Sequence, residues 1–302
     1  MKKDFLSVAD MTSDEVMGMV RKAENIKRTY NKRLLEGKII ALLFEKPSLR
    51  TRVSFEVGIR QLGGDCVYLS KEDMNLGVRE PVEDVARVLD RWVDGIVARV
   101  SDHRSLQTLA TYMDVPVINA LSDVEHPCQA MADLQTILEH KGSFEGLRVA
   151  YIGDGNNVAA SLALGCASVG ADFVIASPPA YQIPGAAWEV AKERAGLGGT
   201  AMNWFELPQH AARDADVVYT DTWVSMGQEA EQVERKKAFA DYQVNPALME
   251  YSKPDSIFMH DMPAYEGFEV SKGMLDDPRS VVFDQAENRL HAQKAIMVEL
   301  FS

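Results

Sequence analysis

Phe44-Glu45-Lys46-Pro47-Ser48-Leu49-Arg50-Thr51-Arg52 decides how this chain folds. Before it, Ile39, Ile40, Ala41, Leu42 and Leu43 form an unbroken apolar run with the length of a buried strand. After it, Val53, Phe55, Ile59 and Leu62 recur at helical spacing until Gly63-Gly64 ends the pattern. The stretch is therefore a strand-to-helix turn carrying two hydroxyls and two guanidinium groups. Free N–H groups at a helix start favour an anion, and arginine adds forked, charged donors that match phosphate oxygens. Ser48, Leu49, Arg50, Thr51 and Arg52 read as a phosphate cradle at the mouth of a parallel sheet. Taken alone, the stretch also fits a capped helix with surface arginines, so the rest of the chain has to decide.

Working outward, strands and helices alternate. Thr12-Ser13-Asp14-Glu15 has the form of a capping box opening a helix to about Arg28. The strand at 39–44 and a helix over 51–62 lead to a strand near Val67-Tyr68-Leu69. A helix over 82–92 precedes Gly95-Ile96-Val97-Ala98, which ends at Arg99. A helix near 104–113 precedes Val115-Pro116-Val117-Ile118, and another begins close to Pro127. The pattern restarts with strands at 147–152, 173–176, 217–219 and 257–259, and a last helix spans about 285–300. Such alternation predicts an α/β protein of two domains, each a parallel sheet flanked by helices. The boundary is expected in or near the helix at 128–140. The polar clusters fall at the carboxyl ends of the strands, where open α/β sheets bind ligands, so a cleft between the two domains is the expected site.

Composition narrows the ligand. The chain has 302 residues, with 32 Lys and Arg against 45 Asp and Glu, a net charge of −13. That balance disfavours nucleic acid and anionic membrane as partners, and it makes a local arginine cluster point to a small anion. Cys66, Cys128 and Cys166 lack metal or redox spacing and read as free thiols in a reducing compartment. No signal-like or membrane-spanning run is apparent, and the expected location is the cytoplasm.

The other clusters are read singly. His126-Pro127-Cys128-Gln129 sets an imidazole and an amide around a proline suited to the first helical position. His126 can donate to a carbonyl oxygen that develops charge, whereas Cys128 has no activating base beside it. Gly153-Asp154-Gly155-Asn156-Asn157 lacks the third glycine of a dinucleotide loop and the acid expected at the next strand end, so nicotinamide binding is disfavoured. Asn156 and Asn157 suit a substrate carboxylate instead. Asp221 to Gly227 offers a carboxylate and a hydroxyl suited to an ammonium group, or an ordinary helix cap. His260-Asp261-Met262-Pro263 follows the last strand; adjacent residues of an extended chain face opposite ways, which argues against a His–Asp dyad. A metal site there lacks a third ligand at useful spacing, so no metal is expected.

In order, these motifs resemble those of the aspartate/ornithine transcarbamylase family, on its ornithine branch. Ser48-Leu49-Arg50-Thr51-Arg52 is similar to the family's Ser-x-Arg-Thr-Arg, and His126 to Gln129 to its His-Pro-x-Gln. Asp221 with Ser225-Met226-Gly227 resembles the ornithine-type Asp-x-x-x-Ser-Met-Gly, and Phe283 to Arg289 the terminal signature. The resemblance implies transfer of a carbamoyl group from carbamoyl phosphate to the δ-amine of ornithine, giving citrulline and phosphate, with no cofactor. It implies a carbamoyl-phosphate domain over residues 1–132, onto which a terminal helix at 285–302 returns, and an amino-acid domain over 133–284. Ser48, Leu49, Arg50, Thr51, Arg52, Asn75, Arg99, His126, Gln129 and Arg289 would surround the donor. Asn157, Asp221, Ser225, Met226, Asp261 and Met262 would hold the acceptor. Arg50, Arg99, His126 and Asp261 would take part in the chemistry. A homotrimer, or a multiple of one, is implied as well.

The departures bear on the acceptor. This chain has His260-Asp261-Met262-Pro263 where the ornithine branch has His-Cys-Leu-Pro, and Tyr265-Glu266-Gly267-Phe268 where it has His-Arg-Gly-Glu. Glu125 adds an acid before His126. An anion at position 261 favours a protonated amine, which cannot attack, unless Asp261 is also the base. Lysine, putrescine or an ornithine analogue are therefore alternative acceptors, and a non-catalytic carbamoyl-phosphate-binding relative is a further reading.

Overall fold

The structure is a computed structural model that describes residues 3–29, 33–74, 80–225 and 227–302. The chain divides into two compact units, residues 1–135 with 288–302 and residues 136–287. In chain order the first contains α1 (Ser13–Thr29), β1 (Ile39–Phe44), α2 (Leu49–Gln61), β2 (Asp65–Ser70), α3 (Lys71–Met74), α4 (Val82–Leu89), β3 (Gly95–Arg99), α5 (His103–Tyr112), β4 (Val117–Leu121) and the start of α6 (Pro127–Lys141). The second continues with β5 (Arg148–Ile152), α7 (Asn157–Val169), β6 (Asp172–Ala176), α8 (Gly185–Gly198), β7 (Met202–Phe205), α9 (Pro208–Ala212), β8 (Val217–Thr220), α10 (Gln232–Ala238), α11 (Pro246–Met249), β9 (Ile257–His260) and the first turns of α12 (Val282–Leu300). The rest of α12 belongs to the first unit.

Both sheets are parallel. The first runs β2-β1-β3-β4 and the second β7-β6-β5-β8-β9. Their central strands read as apolar runs because both faces are covered: every residue of β3 and of β8 is buried. In the first unit Ala41, Leu43, Ile96, Ala98, Leu106 and Val117 share one core. In the second, Ile152, Val174, Val218, Phe239 and Phe258 share another. Helices close the remaining faces. Gly58 of α2 lets α12 approach closely, since a Cβ there would lie 3.3 Å from Lys294 Cγ and Met297 Cε.

Each sheet has one place where the strand order reverses direction, between β1 and β3 in the first and between β5 and β8 in the second. Loops leaving neighbouring strands there run to opposite faces and open a crevice, the usual ligand position in this architecture.

Element ends differ from the expected ones by local chemistry. The capping box is present: Glu15 N–H donates to Thr12 Oγ1 at 3.2 Å, and Thr12 N–H donates to Glu15 Oε2 at 2.8 Å. α2 starts at Leu49 rather than at 51, because Ser48 is its N-cap. α4 stops at Leu89, three residues before the expected end. β7, with its partly exposed residues, escapes a reading based on apolar runs.

Candidate active site

The crevice of the first unit is built on two strand ends. Glu45 N–H donates to the Arg99 carbonyl at 2.9 Å, and Ser101 N–H donates to Glu45 Oε2 at 2.6 Å, so the ends of β1 and β3 are tied together. Ser48, in extended conformation, accepts from Thr51 N–H at 3.4 Å and starts α2 over this crevice. Thr51 is fully buried, and its Oγ1 receives Arg289 Nη2 at 2.6 Å and the Ser48 hydroxyl at 3.1 Å. Arg289 comes from α12; next to it Asn288 Oδ1 accepts from Lys27 at 2.8 Å and from Gln135 at 3.1 Å, which anchors that end of the helix. Arg50 has a buried Nε with no hydrogen-bond partner among the described residues. Leu49 is 74% exposed, so its part in a cradle is its backbone N–H.

His126 and Gln129 sit on the adjoining turn, with Pro127 at the first position of α6. Burial, then the positive charges of Arg289 and Arg99, push the His126 pKa well below the ordinary imidazole value. His126 is therefore a neutral hydrogen-bonding group between two guanidinium groups. Gln129 donates to Asp133 Oδ1 at 2.8 Å, while its buried Oε1 has no partner among the described residues. Burial raises the Cys128 thiol to about 12, which removes it as a nucleophile.

Arg52, expected in the first cluster, and Glu125, the acid next to His126 in sequence, are both engaged elsewhere. Arg52 is held by Glu56 at 2.7 Å and lies 3.7 Å over the Tyr68 ring, on the more exposed side of α2. Glu125 is turned to the amino-terminal segment, where it accepts from the Ser7 hydroxyl and from Val8 N–H. It fixes the start of a short 3-10 turn, Val8–Asp10, and its contacts give no support to a role in choosing the acceptor. Asn75 and Met226 lie outside the described residues.

The crevice of the second unit is acidic. The loop after β5 is threaded against residues 181–183: Gly155 N–H donates to the Tyr181 carbonyl at 2.8 Å, and a Cβ on Gly155 would lie 2.2 Å from Ile183 N. That anchorage sets Asn156, the N-cap of α7, whose Nδ2 donates to Asp221 Oδ2 at 2.7 Å across the reversal of strand order. Asn157, expected to hold the acceptor, is the first residue of α7, directly after this cap. Asp221 also accepts from Thr222 N–H at 2.6 Å. Behind this loop, Asp154 pairs with Arg235 at 2.8 Å; burial outweighs that pairing and raises the Asp154 carboxyl to about 6. Ser225 N–H is engaged by Gln228 Oε1 at 3.0 Å.

At the end of β9 the structure corrects the expectation that His260 and Asp261 face apart. The chain does not stay extended: Met262 adopts φ 63° and donates its N–H to His260 Nδ1 at 2.9 Å. This turn brings Asp261 Oδ1 to 3.5 Å from the same ring nitrogen. Since Nδ1 accepts from Met262, the proton lies on Nε2, which donates to buried Glu269 at 3.2 Å. The pair is in contact but is not a hydrogen-bonded dyad. Glu269 also accepts from Tyr265 N–H and so holds the whole 260–265 turn. The third group that linear spacing had concealed is Asp221: side-chain atoms of Asp221, His260 and Asp261 lie within 4.8 Å of one another. Both imidazole nitrogens are already engaged, so the grouping suits an ammonium ion, which the two carboxylates can share, better than a metal.

Two doubly wound parallel sheets, one ending in a guanidinium and imidazole cluster and the other in paired carboxylates, define an α/β enzyme for an anionic and a cationic small molecule. Residues 3–139 match the carbamoyl-P binding domain of aspartate/ornithine carbamoyltransferase, and residues 145–300 its Asp/Orn binding domain. The ornithine carbamoyltransferase of Thermococcus kodakarensis is 52% identical over 300 residues, covering 98% of this chain and 95% of the relative. The solved ornithine carbamoyltransferase of Pyrococcus furiosus superposes with a TM-score of 0.94 at 49% identity, over 98% of this chain and 96% of that one. The anabolic ornithine carbamoyltransferase of Campylobacter jejuni gives 0.95 at 39% identity, over 99% of each chain. The chain belongs to the aspartate/ornithine carbamoyltransferase family. Among the described residues no helix is long and apolar enough to cross a membrane.

Proposed function

We propose that this protein transfers the carbamoyl group of carbamoyl phosphate to the δ-amino group of L-ornithine, giving L-citrulline and phosphate. The observation that carries the reading is the assembly of Thr51, Arg289, Arg99 and neutral His126 at the start of α2, in a chain of otherwise acidic composition. Arg50, Arg99 and Arg289 neutralise the phosphate as the C–O bond to it breaks. Backbone N–H groups of Ser48 to Arg52 add the helix-terminus contribution, and Arg52 joins them only by leaving Glu56. His126, with Thr51 and Arg99, donates to the carbonyl oxygen as charge develops on it. Because burial holds His126 neutral, it can donate one hydrogen bond without adding charge to a cluster that is already cationic.

Asp221 and Asn157, with Ser225 and Met226 of the same loop, hold the amino-acid part of the acceptor; Asn156 orients Asp221. Asp261 and Met262 line the end where the reactive amine lies. The amine attacks the carbonyl carbon directly, so the route needs no covalent intermediate and no cofactor. Holding both reactants in place supplies much of the acceleration. The relatives support this reading, and the Pyrococcus furiosus relative named as anabolic supports a biosynthetic direction toward arginine. We infer a cytoplasmic homotrimer, or a multiple of one, from the family resemblance.

Asp261 favours one second reading, a different and more cationic acceptor such as lysine or putrescine. Steady-state assays of carbamoyl phosphate against a panel of amines decide between them. Ornithine should be the fastest acceptor, and a faster amine would overturn that assignment. Calorimetric donor binding without product from any amine would mark a non-catalytic relative.

A further inference from the structure

We propose that Asp261 is the base of this enzyme: it receives the acceptor as an ammonium ion and takes the proton that must leave before the nitrogen attacks. The inference rests on the transfer reading above and concerns only the second unit.

Two observations carry it. Side-chain atoms of Asp261, Asp221 and His260 lie within 4.8 Å of one another at the ends of β8 and β9, and Asp261 has a side chain only 12% exposed. Two carboxylates so close favour a cation between them, whether an ammonium group or a proton. The second observation is the construction of the turn. Glu269 fixes the Nε2–H form of His260, His260 Nδ1 fixes the Met262 N–H, and Gln285 Oε1 accepts from His260 N–H at 2.9 Å. The Asp261 carboxylate is thus held on a left-handed turn backed by three side chains, as a reacting group has to be.

The charges around it permit the role. Asp154, behind Asp221, is matched by Arg235, and Glu269 is matched by the His260 Nε2–H and the Tyr265 N–H. Asp221 is held by the neutral donors Asn156 and Thr222, so its charge remains to bind the ammonium. The balance is simple. One N–H proton passes to the Asp261 carboxylate, and the freed electron pair forms the C–N bond. The C–O bond to phosphate then breaks with its electrons on the departing phosphate, which takes the second N–H proton as it leaves, so that the new C–N nitrogen ends neutral. The proton on Asp261 later returns to solvent. An ordinary thiol, with a value of about 8.5, would be mostly protonated at neutral pH and could take the proton only above that value.

The test is the pH dependence of kcat/KM for ornithine in the wild type, Asp261→Asn and Asp261→Cys, with citrulline as the product measured. An enzyme that deprotonates a bound ammonium should show a nearly flat profile from about pH 6 to 9, below the usual amine value. Asp261→Asn should depend on amine that is already neutral, so its kcat/KM should rise about tenfold per pH unit over the same range. Its deficit against wild type should therefore shrink about a hundredfold between pH 7 and 9. Asp261→Cys should recover the flat part only above roughly the ordinary thiol value, about 8.5. A far-ultraviolet circular dichroism spectrum and urea midpoint like those of wild type check that each variant is folded, second unit included; if Asp261→Asn is not, Asp261→Cys carries the same test. Parallel slopes in wild type and variants would overturn the base while leaving the transfer reading intact. No citrulline from the wild type at any pH would overturn both.

Discussion

Replacing Thr51 with valine removes one hydroxyl from the donor cradle and little else. The side chain is fully buried, its shape is nearly kept, and its backbone N–H still reaches Ser48. What disappears is the acceptor for Arg289 Nη2 at 2.6 Å and for the Ser48 hydroxyl at 3.1 Å. Hydrogen bonds to charged groups contribute about 1.5–3 kcal/mol, and here the abandoned partner is a guanidinium in a buried position. If that guanidinium is aimed at phosphate through Thr51, carbamoyl phosphate affinity should fall by about 10- to 150-fold, at 1.4 kcal/mol per decade. Titration calorimetry with carbamoyl phosphate measures this directly, and steady-state kinetics should place the loss in the donor KM rather than in the ornithine KM. Thr51→Ser, which keeps the hydroxyl, should bind within a few-fold of wild type. Thr51→Val binding within twofold of wild type, or Thr51→Ser as impaired as Thr51→Val, would refute the argument that this hydroxyl orients Arg289.

Further outcomes follow from the same geometry. Gly155→Ala should lower stability by about 3 kcal/mol or more, because its Cβ would meet Ile183 N at 2.2 Å and Gln182 C at 2.3 Å, and neither backbone atom can rotate away. A urea midpoint equal to wild type would contradict it. Arg235→Met leaves Asp154 buried without its cation, which should cost about 3–5 kcal/mol at neutral pH. Asp154 titrates at about 6 with Arg235 beside it and higher without it, so the deficit should shrink as the pH falls toward 6 and be nearly gone at pH 5; urea midpoints at pH 5 and 8 measure the difference. His126 has a folded pKa well below its unfolded one, so its contribution to stability is present above about pH 6.5 and lost as the pH falls toward the folded value. His126→Asn should accordingly lose less stability than wild type between pH 7 and 5, and should lower kcat by about 10²–10³-fold if the imidazole donates to the reacting oxygen.

The alternation of buried strands and amphipathic helices was legible in the sequence because parallel strands covered on both faces must be apolar throughout. Ile39 to Phe44 and Val217 to Tyr219 leave no other reading. The cluster of hydroxyl and guanidinium groups was legible for a related reason: Ser48, Arg50 and Thr51 are close in sequence, and a helix start gathers such residues by itself. What could not be read depends on contacts between distant segments. Nothing local distinguishes Asn156 from Asn157 until the 181–183 segment fixes the loop and turns Asn156 to Asp221. Glu125 looked like a site residue because it precedes His126, yet its partners, Ser7 and Val8, are more than a hundred positions away. His260 and Asp261 were read as facing apart because an extended chain was assumed beyond β9, and only Met262 in the left-handed region reverses that.

Residues 136–287 form one complete unit inserted within the other, and this interruption has a consequence during synthesis. Arg289, the buried partner of Thr51, leaves the ribosome only after the entire insertion, roughly eight to thirty seconds after residue 135 at usual elongation rates. A partly made chain therefore has the strands of its first sheet but lacks one of its guanidinium groups. On the proposed reading, the donor site is incomplete until the unit that would hold the acceptor has been translated.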